Sequence, residues 1–321
     1  MSEKIIKIGA ITVTVVVIAM VGFFLFPVEN IKEYVALVKM KPEKQYIQIG
    51  FAGDSMFDRG IRYYADQNGD NDFIFQNIKD FLLKNDLNVV NLEGPITDNE
   101  SISAGSAPGS TKNYFFTFDP SVAATLHKNN IKLVNLGNNH IENFKKEGIV
   151  QTEKYLTDAG VDFFGSPYGA KSIIKDIEGL KVAFVNYNQF LADLPEEWGA
   201  TMREIQEARL KSDIVMVFCH WGVEYALSAT PEQIDLGRRF VDAGADLVIG
   251  AHPHVTEPME EYKGKRIYYS LGNFIFDQYF SEDVRTGLFV SVKIDKETKS
   301  LEFTENRTYL QSGGQTILLD H

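Results

Sequence analysis

Leu247-Val248-Ile249-Gly250-Ala251-His252-Pro253-His254 begins as a run suited to a buried strand and ends in two imidazoles on either side of a proline. Two histidines at i and i+2 just beyond a strand can reach adjacent positions around one cation, with Pro253 stiffening the turn between them. Six more runs have the same length and the same richness in Val, Ile, Leu and aromatics: Tyr46–Gly53, Asn88–Leu92, Lys132–Leu136, Lys181–Tyr187, Ile214–Cys219 and Arg266–Leu271. Between the runs lie helical patterns at Phe73–Asn85, Pro120–Asn129, Glu147–Ala159, Met202–Lys211 and Pro231–Ala243. Strand and helix in alternation predict a layered α/β domain. Leu288–Asp295 and Leu301–Tyr309 add strands around a Lys296-Glu297-Thr298 turn, and Thr97–Lys112, full of Asn, Ser, Gly and Pro, reads as a polar loop that covers a site or moves.

Polar residues fall where these runs stop. Asp54 follows the first, Glu93 the second, Asn138-Asn139-His140 the third, His220 the fifth, His252 and His254 the sixth, and Asn273 the seventh. In open α/β sheets the ligand crevice lies outside the carboxyl ends of the strands, so residues far apart in sequence can converge there. Four of the six histidines are in this set, leaving His127 inside a helical pattern and the terminal His321. Singly, each residue has an ordinary use: Asp54 as a turn former or cap, Asn138 and Asn139 as turn residues, His220 as a histidine packed on Trp221. Their recurrence at successive strand ends points instead to a divalent metal site. Oxygen and nitrogen donors without thiolates suit Mn, Fe or Zn in a hydrolytic centre.

Composition narrows the partners. The 321 residues carry a net charge of −12, which argues against nucleic acid, whose binding needs clustered Lys and Arg. A single cysteine, Cys219, excludes an intramolecular disulfide framework and a multi-cysteine zinc site. From Ile8 to Phe26 no residue is charged, a stretch long enough to cross a bilayer as a helix. A cleaved signal peptide has a shorter apolar region ending in small residues, whereas this one ends Phe23-Phe24-Leu25-Phe26-Pro27, so it reads as an uncleaved anchor. The division expected is a terminus at 1–7, a transmembrane anchor at 8–26, a polar stalk at 27–44 and a domain at 45–321.

The motifs Gly53-Asp54-Ser55-Met56, Asn91-Leu92-Glu93, Asn138-Asn139-His140, His220-Trp221-Gly222-Val223-Glu224-Tyr225, Asp242-Ala243-Gly244-Ala245-Asp246, Gly250-Ala251-His252-Pro253-His254 and Tyr269-Ser270-Leu271-Gly272-Asn273-Phe274 resemble those of the CapA family of bacterial poly-γ-glutamate capsule proteins. That family is similar in fold to calcineurin-like metallophosphoesterases. The resemblance runs in order from about Ile47 to Asp277. It implies a four-layer α/β/β/α sandwich of the metallophosphoesterase type behind one N-terminal transmembrane helix, and a role in capsule polymer synthesis or export. It also implies a cell-membrane location, single-pass with the domain outside the cytoplasm, although the basic residues Lys32, Lys39, Lys41 and Lys44 beyond the span do not favour that orientation.

Carried over one residue at a time, the metallophosphoesterase pattern places Asp54, Glu93, Asn139, His220, His252 and His254 as ligands of one or two divalent ions, with Glu93 between them. Met56 stands where that pattern has a histidine, and Asn143 where the CapA pattern has an aspartate three residues after His140. His140 is implied as the proton donor to a leaving group, a role that suits imidazole. Arg59 is a candidate clamp for an anionic group, and Asn138, Glu224 and Asn273 join it as candidate substrate-binding residues. Two functions are then open: a metal-dependent hydrolase of a phosphoester or of the polymer's amide, or a non-catalytic subunit that binds polymer during assembly. The partners expected are the membrane, capsule polymer or an anionic small substrate, and membrane subunits of a polymer synthase.

Overall fold

The computed structural model describes residues 44–190 and 197–319, and Tyr46 begins a compact unit. The apolar span 8–26 and nearly all of the stalk lie outside the described residues, among which no helix is long and apolar enough to cross a membrane.

Two mixed sheets carry the domain. In the eight-stranded sheet the order is β14 (Thr316–Leu318), β13 (Leu301–Leu310), β12 (Thr286–Asp295), β1 (Tyr46–Ser55), β2 (Leu87–Leu92), β3 (Ile131–Asn135) and β4 (Asp162–Phe164), with β11 (Asn273–Ile275) pairing to the end of β1. Strands β1 to β4 run parallel, and β12 to β14 close that edge antiparallel. In the six-stranded sheet the order is β5 (Ser172–Ile177), β6 (Leu180–Asn188), β7 (Ile214–His220), β8 (Leu247–Ala251), β10 (Lys265–Leu271) and β9 (Thr256–Tyr262). Here β6, β7, β8 and β10 are parallel and the two edge strands antiparallel.

Alternation along the strands sets the layers. Phe184, Met216, Phe218 and Ile249 meet Phe51, Val89, Leu133 and Val290 in a core shared by the two sheets. Their neighbours Val185, Val215, Val217 and Val248 face the other way, against Ile205 of α6 (Glu197–Arg209) and Leu236 and Phe240 of α7 (Pro231–Ala243). Beyond the first sheet, Ala52, Val90 and Val134 are covered by five helices: α1 (Arg59–Gln67), α2 (Asp72–Phe75), α3 (Lys79–Leu82), α4 (Ser121–Lys128) and α5 (Lys145–Asp158). The order is therefore helix, sheet, sheet, helix. A last short helix, α8 (Glu282–Arg285), leads into β12.

The helix expected over Phe73–Asn85 is two single turns instead. Gln315 Nε2 donates to the Phe73 carbonyl at 2.8 Å, occupying an acceptor that a continuing α-helix would use. Several elements have no counterpart in the sequence pattern: the short β4, β11, β14 and α8, then α1, which buries only Ile61 and Ala65, and the edge strands β5 and β9, where charged residues break the apolar run. Gly53 is fixed by crowding. A Cβ there would lie 1.9 Å from the Gly272 carbonyl oxygen, which accepts the Asp54 amide at 3.0 Å and draws β1 against the end of β10. That contact brings the carboxyl ends of the two sheets together.

Candidate metal centre

Each donor comes from a strand end. Asp54 closes β1 and Glu93 follows β2, while Asn138, Asn139 and His140 occupy the turn after β3. From the second sheet, His220 ends β7, and His252 and His254 follow β8. Both of the latter sit at positive φ, 100° and 59°, a conformation that costs free energy in a residue with a Cβ and that turns the two rings into one crevice.

Glu93, His220 and His252 offer ligand atoms all within 4.8 Å of one another, and so do Asp54, Glu93 and His254. Glu93 is common to the two groups. Asn139 Oδ1 lies 2.9 Å from His220 Nε2 and adds an amide oxygen to the first group. Asp54 Oδ2 accepts the His252 amide at 3.0 Å and lies 3.2 Å from His254 Nδ1, while Oδ1 accepts from Asn91 Nδ2 at 2.8 Å.

The residues fit a divalent cation on an observation independent of their types. Both oxygens of Glu93 and Nδ1 of His252 are buried without a hydrogen-bond partner. Buried polar atoms are almost always satisfied, and an orphaned carboxylate is among the most costly groups to bury. Burial, followed by the Asp54 charge, pushes the Glu93 carboxyl well above the usual range. Burial resists ionisation of Asp54 as well, yet His254, His220 and the Asn91 bond hold its carboxyl well below that range. Burial also lowers the His220 imidazole far below its ordinary value, and takes His252 and His140 down to about 4. A neutral imidazole is the form that ligates a cation.

His140 stands beside the donors, its Nε2 3.9 Å from Glu93 Oε1 and its ring 4.4 Å from that of Phe116. Asn143 Oδ1 accepts the Phe116 amide at 2.8 Å, so the amide group is oriented with its oxygen toward His140 Nδ1, 3.3 Å away. That assigns the proton of neutral His140 to Nδ1 and the lone pair to Nε2.

The other expected residues are placed differently. The Asn138 amide is used within the fold: Nδ2 donates to Leu92 O and Asn91 Oδ1, and Oδ1 accepts the His140 and Ile141 amides. Its side chain shapes the turn and is not offered to a substrate. Asn273 likewise spends Oδ1 on His254 Nδ1 at 2.9 Å and Nδ2 on Gln278 and Val284, which positions His254. Arg59 is already clamped, Nη1 to Asn113 and Nη2 to Asp277, so its charge is matched inside the protein. Glu224 is exposed on the turn after β7, and its charge is felt by Glu93. Met56 is buried on the helix side of the first sheet, its sulfur accepting the Asp58 amide at 2.9 Å. His127 lies on α4 with Nδ1 3.1 Å from the Gly160 carbonyl, away from this set.

Sequence reading misses Asn91, whose Nδ2 lies between Asp54 Oδ1 and His220 Nδ1, 3.2 Å from the latter. A signal exists: Asn91 and Glu93 are two residues apart at a strand end and so share a face.

The chain is also similar to known proteins. The family described as bacterial capsule synthesis protein PGA_cap matches residues 48–278. The PGA biosynthesis protein CapA of Bacillus subtilis (strain 168) is 31% identical over 248 residues, 72% of this chain and 64% of that protein. The capsule biosynthesis protein CapA of Bacillus anthracis is 29% identical over 265 residues, 77% of this chain and 63% of that protein. The chain thus spans a little under two thirds of the length of these relatives. Among solved structures, a hypothetical protein from Thermus thermophilus superposes with a TM-score of 0.51 at 18% identity, covering 81% of this chain and 98% of that one, a likeness of fold alone.

Proposed function

We propose that this chain, which belongs to the bacterial capsule synthesis protein family PGA_cap, is a metal-dependent hydrolase of capsule polymer synthesis or export that cuts a phosphoester or an amide of the polymer. The observation that carries this reading is Glu93, a fully buried carboxyl group with no hydrogen-bond partner, set among the imidazoles of His220, His252 and His254. Asp54, Glu93, Asn139, His220, His252 and His254 would hold one or two divalent ions, Mn, Fe or Zn, in a fold of the metallophosphoesterase type. When bound, such ions polarise a phosphoryl or carbonyl oxygen and make water acidic enough to attack near neutral pH.

The protein's own part is to hold geometry and move a proton. Asn91 fixes Asp54, Asn273 fixes His254, and Phe116 with Asn143 fixes His140. Because His140 is neutral with its lone pair on Nε2, it takes the proton of the attacking water and returns it to the leaving group. This amends the simple donor role expected from its ordinary pKa. The span Ile8–Phe26 would anchor the chain in the cell membrane with the domain outside the cytoplasm, where capsule polymer and membrane subunits of a polymer synthase are its partners.

Met56, buried where a further ligand histidine would stand, favours a second reading, a non-catalytic subunit that binds polymer or a partner during export. One variant separates the two. His140→Asn should keep metal content unchanged and lose about 10²–10⁴-fold in turnover of a model phosphodiester or γ-glutamyl amide. If the unaltered protein hydrolyses neither substrate and the variant still restores polymer production, the binding role stands and the hydrolase does not.

A further inference from the structure

A cleft of about 540 Å³ opens near the metal centre, lined by residues that pack against its histidines rather than by the donors themselves. The Tyr225 ring lies 6.0 Å from the His254 ring, and Gln278, which accepts from Asn273, donates to the Tyr225 hydroxyl at 3.0 Å. Arg59 packs over Phe116 and Phe276, the rings that touch His140 and His254. We propose that this cleft binds a neutral oligosaccharide strand next to the reacting bond. Binding itself stands on the cleft alone, and only the placement beside a reacting bond rests on the hydrolase reading.

The argument is one of charge and surface. Among the described residues, Arg59 and Asp277 are the only charged ones lining the cleft, and they neutralise each other. With Glu224 exposed next to Tyr225 and a chain charge of −12, the cleft wall holds no unmatched cation to draw in a polyanion such as a γ-glutamyl chain. What the wall does present is aromatic. Tyr63, Tyr114, Tyr225 and Phe280 line it and are exposed by 59, 48, 41 and 67%. The negative face of an aromatic ring attracts the polarised C–H bonds on the flat side of a pyranose, and the apolar area buried adds to this. Between the rings, Asn113 and Gln278 are uncharged; Asn113 accepts from Arg59 and donates to Ser106, and Gln278 accepts from Asn273 and donates to Tyr225, so each amide keeps one further N–H and one further lone pair for a sugar hydroxyl.

The cleft is also built in advance. Tyr225 is held at φ 65° by the hydrogen bond its backbone N–H donates to the Pro253 carbonyl at 2.8 Å, a strained conformation that places the ring on the rim. The opposite wall is the loop after Thr97, fastened by buried Asp58, which accepts from Ser101 Oγ, Ser103 Oγ and the Thr117 amide. Such preorganisation lowers the entropy cost of binding.

The test is calorimetric titration of the purified full chain with chitotetraose and, separately, with tetra-γ-glutamate. Chitotetraose should bind, and Tyr114→Ala and Tyr225→Ala should each weaken it about tenfold, while Tyr225→Phe keeps most of the affinity. No binding of chitotetraose, binding indifferent to both alanine changes, or tighter binding of tetra-γ-glutamate with the same tyrosine dependence overturns the proposal. Metal content and phosphodiesterase activity of the same preparation keep the two readings apart. Metal and turnover without sugar binding sink the cleft assignment alone. Sugar binding without metal or turnover upholds the cleft and sinks the hydrolase.

Discussion

Glu93 and Asp246 are both buried acids at strand ends, at opposite poles of the parallel strands. Asp246, just before β8, accepts from Lys265 Nζ and Arg209 Nη1 at 2.7 Å and from the Val215 amide at 3.0 Å. It ties two strands and a helix together. Glu93, just beyond β2, accepts nothing. The amino pole spends its carboxylate on the fold, and the carboxyl pole leaves one in reserve. Since an unpaired buried acid weakens a protein, the second arrangement marks the place where a missing positive charge belongs.

Mirror-image substitutions should expose this difference. Glu93→Gln should have the largest effect, a loss of metal affinity of about 100-fold or more, given that even outer-shell partners are worth about 10–100-fold. Measured without metal, the same variant should melt no lower than the unaltered protein, because a neutral amide is easier to bury than an orphaned carboxylate. Asp246→Ala should do the reverse: metal content unchanged by elemental analysis, and stability in urea reduced by about 2–3 kcal/mol. That figure sits below the cost of breaking a fully buried pair, since Arg209 and Lys265 are a third or more exposed and can turn to water. A Glu93→Gln protein that unfolds more easily without metal would mean that its carboxylate, like that of Asp246, serves the fold.

The same contrast explains how far sequence reading reaches. Donors that close apolar runs are legible, because a parallel strand buried on both faces is a continuous hydrophobic word and the residue just beyond it lies in the crevice. Layers come from strand and helix in alternation. Partnerships are not legible, since they join residues that sequence keeps apart: Arg59 with Asp277, 218 positions on, or Asn273 with His254. So Arg59 looks free for a substrate and is clamped, and Asn138 looks like a contact and is a turn former. Edge strands such as β9, Thr-Glu-Pro-Met-Glu-Glu-Tyr, escape because one side meets water and needs no apolar pattern.

The smallest test concerns a third buried acid, Glu257 on β9, intermediate between the other two. Its Oε2 accepts from Gln233 Nε2 at 2.8 Å while Oε1 has no partner, and burial, opposed by the Gln233 bond, raises its pKa to about 7. A carboxyl whose folded pKa exceeds its unfolded value of about 4.5 keeps its proton longer in the folded state. Stability is therefore full below about pH 4.5 and declines as pH rises toward 7, after which the whole cost is present. Glu257→Gln removes the ionisation but keeps an oxygen for Gln233. It should raise the melting temperature at pH 8 by about 2–4 °C, corresponding to roughly 1 kcal/mol in a domain of this size, and change it by less than half as much at pH 5. Equal shifts at the two pH values would show that the gain comes from packing rather than charge, and would move Glu257 into the class of Asp246, an acid whose ionised form the fold accommodates.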